Sequence, residues 1–146
     1  FINENEDLIK QMVKEGHNVG NHTFNHSQLT KLGFDEAVEE INTTNAWITN
    51  ISGYTPEYIR PPFGSFTDEL LSETSMSVVM WNVDPLDWKY KNKDIVTDKI
   101  LKNVKNGDII LMHDCYESSV NAALRIVDIL KESGYEFVTV EELILP

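Results

Sequence analysis

The chain has little of several things that decide function early. A single cysteine, Cys115, excludes an internal disulfide framework and a cysteine-rich zinc site, although it does not fix the redox compartment. Basic residues are scarce: 12 against 24 acidic ones, a formal net charge of −12 over 146 residues. Nucleic acids and anionic membrane surfaces require clustered Lys and Arg, so neither is expected as a partner. No apolar run approaches the ~18 residues of a membrane span. The opening residues Phe1, Ile2, Asn3 and Glu4 lack the basic and apolar regions of a signal peptide, and the chain reads as if cut from something longer. Repeats, linkers and low-complexity stretches are also missing. What remains is an ordinary globular composition, 41% hydrophobic and 10% aromatic, enough for one domain with a real core.

Apolar spacing predicts helices over residues 6–16, 34–51, 94–106 and 118–133, and a short one over 67–73 capped by Thr67. The expected inward faces are Ala37, Val38, Ile41, Asn45 and Ile48 in the second, and Ile95, Val96, Ile100, Leu101 and Val104 in the fourth. The helix over 118–133 is expected to bury Val120, Ala123, Leu124, Val127 and Leu130. Gly16, Gly53, Gly107 and Gly134 stand where helices stop. Strands are expected over 17–21, 58–60, 77–83, 108–112 and 136–140. The runs SVVMWNV and DIILM are apolar on both faces, as in a parallel sheet covered on both sides. Alternation of strand and helix predicts α/β architecture with a parallel sheet, either a barrel or a doubly wound fold.

Four places could carry chemistry. His22 and His26 are four apart just after an expected strand; on a helix both imidazoles would share one face and could share a metal. Two polar loop histidines that bind nothing would look the same, and a third ligand must come from elsewhere. His113 ends the run IILM at the C-terminal mouth of a strand, where α/β folds gather reactive groups, although a core histidine bonded to a carbonyl also fits. Asp84 and Asp87 occupy the corresponding mouth of another strand, where solvated loop carboxylates are the plain alternative. Arg60 precedes Pro61 and Pro62 and could clamp a carboxylate or cap the surface. A Cys115–His113 dyad is conceivable, with only His113 nearby to activate the thiol.

Together these segments resemble the polysaccharide deacetylase family, carbohydrate esterase family four. Its His-Ser/Thr-x-x-His motif matches His22, Thr23 and His26, and its Arg-x-Pro-Tyr motif resembles Arg60, Pro61, Pro62 and Phe63. Asp84, Asp87 and Trp88 match Asp-x-x-Asp-Trp, Leu111 and His113 match Leu-x-His, and the ending GYEFVTVEEL is also of the family's type. Phe63 stands where the family has Tyr, a small loss if the oxyanion contact is made by the backbone N–H there. The Thr-Phe-Asp-Asp motif, whose two aspartates are general base and third metal ligand, is expected upstream of residue 1.

The resemblance implies a distorted (β/α) barrel lacking its N-terminal strands, forming a single incomplete catalytic domain over residues 1–146. It implies a metal-dependent hydrolase that removes N-acetyl groups from N-acetylglucosamine polymers of the peptidoglycan or chitin class. His22 and His26 would hold a divalent metal, first zinc, with cobalt or nickel tolerated. His113 would be the general acid, Asp87 its positioning carboxylate and Arg60 the residue that orients the base. Pro62, Phe63, Trp88 and Leu111 would line the substrate. The rival reading is a non-catalytic carbohydrate-binding domain of the same fold. An extracellular or wall-associated location follows from the family, and an exposed sheet edge could allow self-association.

Overall fold

The computed structural model describes residues 4–144. Its contacts group the chain into two compact units, Phe1–Met80 with Thr139–Glu141 and Trp81–Val138 with Glu142–Pro146, each taken by itself below.

The first unit is built on α1 (Glu6–Lys14) and α2 (Phe34–Ser52), followed by β1 (Tyr58–Ile59), α3 (Asp68–Thr74) and β2 (Ser77–Val78). Asp35 and Glu36 sit in the first turn of α2, where the helix dipole favours them. Gly53 closes α2 in the left-handed conformation at φ 74°, and its N–H caps the Thr49 carbonyl. Thr67 caps α3 by accepting from Leu70 N–H, as the sequence predicts. Ala37, Ile41 and Ile48 lie on the buried face of α2; of these, Ala37 and Ile41 join Leu29, Ile59, Leu70 and Met76 in one core.

The second unit holds α4 (Asp87–Tyr90), α5 (Lys93–Asn103) and α6 (Glu117–Glu132). Its core is Val83, Val96, Ile100, Ala122, Ile126 and Leu130. α7 (Val140–Ile144) ends the described chain.

Strand structure is much shorter than the apolar runs suggest. β1 and β2 pair in parallel over two residues each, and single parallel bridges join Asn21 to Ile59 and Val83 to Ile110. The chain is thus α/β, and the pairing found among the described residues is parallel. The expected strand over 17–21 is paired only at Asn21, and those over 77–83 and 108–112 only in part. An extended apolar segment becomes a strand only where a neighbour accepts its backbone groups. Pro61 and Pro62, which lack N–H donors, end β1. The expected strand over 136–140 is not formed: Phe137 and Val138 are half exposed, and the chain turns into α7 at Val140.

Two helix faces also differ from expectation. α5 buries Val96, Thr97 and Ile100 while Ile95 is exposed. α6 buries Ser119, Ala122, Ile126 and Leu130, leaving Val120 exposed and Leu124 63% exposed. The sequence of α6 offers two overlapping apolar stripes, and periodicity alone cannot choose between them. The chosen stripe is the one that puts the Ser119 hydroxyl inside.

This choice is testable by denaturant unfolding. Ile126→Ala should destabilise the protein by about 2–5 kcal/mol, as for a buried aliphatic truncation. Leu124→Ala should change stability by less than about 0.5 kcal/mol. Equal losses at the two positions would mean that the helix packs on the other stripe.

Candidate active site

Asn21 organises the histidine loop. Its backbone is stitched to β1, with its N–H donating to Tyr58 O at 2.8 Å and its carbonyl accepting from Arg60 N–H at 2.9 Å. Gly20 permits this approach, since a Cβ there would lie 3.1 Å from Tyr58 O. The Asn21 side chain, only 1% exposed, donates to Ile41 O at 2.8 Å and to Asn45 Oδ1 at 2.7 Å, and accepts from Thr23 N–H at 2.8 Å. Each polar atom of the buried amide is thereby engaged. A second clamp follows at Asn25, whose backbone and side chain both donate to the Glu40 carboxylate.

Around these clamps the chain is not helical. Thr23 and His26 adopt left-handed conformations at φ 62° and 56°. Yet the bend brings the imidazoles of His22 and His26 together, ring centroids 4.8 Å apart and steeply inclined. The helical route to a shared face is therefore corrected: a turn fixed by Asn21 does the same work. The Nδ1–H of His22 donates to the Arg60 carbonyl, an oxygen that can only accept. That bond assigns the proton of the neutral ring to Nδ1, and a carbonyl bond of this kind is what fixes the tautomer of metal-binding histidines in general. Among the described residues, no group of three His, Cys, Asp or Glu side chains is gathered as a metal site.

Arg60 directs its guanidinium along the sheet end, Nε donating to Val79 O at 3.2 Å and Nη2 to Met80 O at 3.4 Å. Burial pushes its pKa down from the usual arginine value. Pro62 is fully buried, whereas Phe63 is 69% exposed and sets its ring edge-on to His26 at 5.2 Å. A hydrogen bond of 2.6 Å between the Thr30 and Ser65 hydroxyls ties the segments after His26 and after Phe63 to one another.

The second unit carries the other motif residues. Asp87, the first residue of α4, has no exposed surface. Its Oδ1 accepts from His113 Nδ1–H at 2.8 Å and its Oδ2 from His113 backbone N–H at 2.7 Å. Burial by itself would raise the carboxyl pKa. The His113 hydrogen bonds and charge outweigh it, helped by the buried Ser119 hydroxyl, which faces the carboxylate without reaching full hydrogen-bond geometry, and the pKa ends below the usual carboxylate range. An ionised Asp87 fixes the proton of His113 on Nδ1. Nε2 is turned away from the carboxylate, and the His113 side chain is 35% exposed. Trp88 is half exposed and Leu111 partly buried. Asp84 spends one carboxylate oxygen on the Leu86 N–H of its own turn. Cys115 is exposed and makes no hydrogen bond to His113 among the described residues.

Sequence reasoning missed Asn21, Asn25 and Ser119 as positioning residues. For Asn21 the available signal was a polar residue in an expected strand; Asn25 and Ser119 carried none.

Residues 1–77 match the family described as polysaccharide deacetylase, and the chain belongs to that family. The peptidoglycan-N-acetylmuramic acid deacetylase PdaC of Bacillus subtilis is 46% identical over 94% of this chain, which covers 29% of that protein. The peptidoglycan-N-acetylglucosamine deacetylase PgdA of Listeria monocytogenes is 39% identical over 96% of the chain and 30% of its own length. The chain thus spans under a third of these curated relatives. The solved structure of PdaC from Bacillus subtilis superposes with a TM-score of 0.95 at 42% identity, covering 97% of this chain and 70% of that one. A family four pseudoenzyme from Bacillus anthracis matches at a TM-score of 0.86 and 30% identity, over 97% of this chain and 51% of that one.

The Asp87 geometry predicts a pH dependence of stability. The folded-state carboxyl lies below its unfolded value of about 3.9, so ionised Asp87 stabilises the fold at all higher pH. That contribution disappears as pH falls through the folded-state value. Chemical denaturation from pH 6 down to pH 2 should show this acid loss, and Asp87→Asn should start less stable and lose less across the same range. An unchanged acid slope in the variant would remove Asp87 as its source.

Proposed function

We propose that this chain carries the metal-binding histidines and the general acid of a metal-dependent deacetylase acting on N-acetylglucosamine-containing wall polysaccharide. The observation that carries this reading is the paired imidazoles of His22 and His26, with the His22 ring oriented by its Nδ1–H bond to the Arg60 carbonyl. Two neutral imidazoles fit a borderline divalent ion, zinc first, with cobalt or nickel acceptable. When bound, such an ion lowers the pKa of water and polarises the acetyl carbonyl.

The remaining chemistry belongs to the chain's own side chains. Hydrolysis of an acetamide expels an amine, which must be protonated as it leaves. His113 Nε2–H is the proton donor in this reading. Asp87 keeps the imidazole oriented, its buried carboxylate accepting from Nδ1–H at 2.8 Å so that Nε2 is turned away from it. Arg60, anchored on the Val79 and Met80 carbonyls, presents a fixed positive charge to orient the carboxylate base. Phe63 and Trp88 offer exposed rings to the sugar face, and Leu111 an apolar contact for the acetyl methyl. The names of the curated relatives support peptidoglycan over chitin as the polymer, and a substrate of that kind would put the proposed activity outside the cell or at its wall.

A second reading, glycan binding without turnover by these 146 residues, is favoured by the lack of a third ligand beside the histidine pair among the described residues.

Two measurements test these readings. In zinc titration calorimetry, His22→Ala and His26→Ala should each weaken binding by more than about tenfold, because each removes a direct ligand, while Cys115→Ser should leave it unchanged. Unchanged affinity in both histidine variants would overturn the metal assignment. Acetate release from N-acetylated chito-oligosaccharides by residues 1–146 should fall short of a complete enzyme by about 10²- to 10⁴-fold, the usual contribution of a general base. A longer protein supplying that base should be active and chelator-sensitive. Robust release by the 146 residues would show that another carboxylate, Asp84 or Asp114, serves as base.

A further inference from the structure

The charge of the chain is unevenly distributed. Six of its twelve basic residues, Lys89, Lys91, Lys93, Lys99, Lys102 and Lys105, fall within seventeen positions. They lie on α4, α5 and the turns that follow these helices. The acids carried by α5 are already engaged, Asp94 with Arg125 at 2.7 Å and Asp98 with Lys102 at 3.8 Å. Lys89, Lys91, Lys93 and Lys99 make no ion pair among the described residues. In a protein of net charge −12, these lysines concentrate positive charge on one short stretch, with the carboxylates of Asp84 and Asp108 lining a surface depression beside Lys99 and Lys105.

Three of these lysines are held by rings. Lys99 Nζ lies 5.1 Å and Lys89 Nζ 6.0 Å from the centre of the Tyr90 ring. Lys91 Nζ lies 4.5 Å from the centre of the Tyr116 ring. A cation over an aromatic face is attracted by the ring quadrupole, but its charge is not cancelled and its outward N–H groups stay available. α4 begins at Asp87, bonded to His113, and is followed by Lys91, which rests on Tyr116 three residues beyond His113.

We propose that Lys89, Lys91 and Lys99 form an anion-reading subsite that recognises carboxylates borne by the glycan, such as the lactyl group of muramic acid or the peptide attached to it. This inference rests on the deacetylase reading above and deepens it, because it assigns substrate choice to named residues. A neutral polymer of N-acetylglucosamine would gain nothing from these cations. A carboxylated one meets three. Because the lysines are exposed, each contact is modest and screened by salt, and the selectivity comes from their sum.

The test is binding, measured by calorimetry with two probes of matched length: chitotetraose and a peptidoglycan tetrasaccharide with free carboxylates. At low salt the protein should bind the carboxylated probe roughly tenfold more tightly, with the advantage shrinking as salt rises. K89Q/K91Q/K99Q should abolish that advantage while leaving chitotetraose affinity as it was. The control K10Q/K14Q/K31Q removes the same net charge elsewhere and should keep the advantage. Equal affinity of the unmodified protein for both probes overturns the inference and leaves the deacetylase reading standing, as does an advantage that survives in K89Q/K91Q/K99Q. A control variant that loses the advantage shows overall charge at work and also overturns it. Failure of the unmodified protein to bind either probe overturns both readings.

Discussion

A carboxylate removed from water must find partners or give up its charge, and Asp87 meets that constraint by drawing on two residues distant from it in sequence. The side-chain and backbone donors of His113 and the Ser119 hydroxyl all address it. The face that α6 turns inward, the orientation of the His113 ring and the start of α4 are consistent with this one buried charge. Its loss of solvation is offset by the same bonds that prepare His113. Structure and chemistry are therefore not separable here: the imidazole is oriented because the carboxylate needed a donor.

The first unit solves a similar problem with a neutral group. The Asn21 amide is buried among Ile41, Asn45 and Thr23, and its two donors and its acceptor are used within the protein. This fixes a turn through two left-handed residues, Thr23 and His26, conformations that cost energy for side chains other than glycine. The turn is held at both ends, by Asn21 on α2 and by Asn25 on Glu40. Such over-determination would serve the proposed metal-binding role, because two imidazoles free to rotate would have to be ordered at the moment of binding. The Arg60 carbonyl completes the arrangement by choosing the tautomer of His22.

Much of the helical structure was legible in advance because its signals are local. Gly53 and Thr67 end and begin helices by backbone conformation and capping, which depend on a few adjacent residues. Strands were legible only as extended apolar runs. Pairing depends on a partner distant in sequence, so 77–83 shortened to Ser77–Val78 and 136–140 did not pair at all. The face of α6 failed for a related reason: a serine counted as polar surface is buried facing a carboxylate brought in by another segment.

By itself the sequence determined which groups are available, namely two histidines four apart, an arginine before two prolines, an aspartate followed by tryptophan, and a histidine closing an apolar run. Those identities set the family and the chemistry open to it, since ligand type and proton-transfer capacity belong to side chains. Only the tertiary structure decided how the groups are presented. It set His22 and His26 side by side on a bend rather than a helix, put the proton of each key imidazole on Nδ1, and buried Asp87 while exposing Phe63 and Trp88. Hydrogen-bond partners distant in the chain fix tautomer, burial and ring orientation, and no local pattern of residues carries that information.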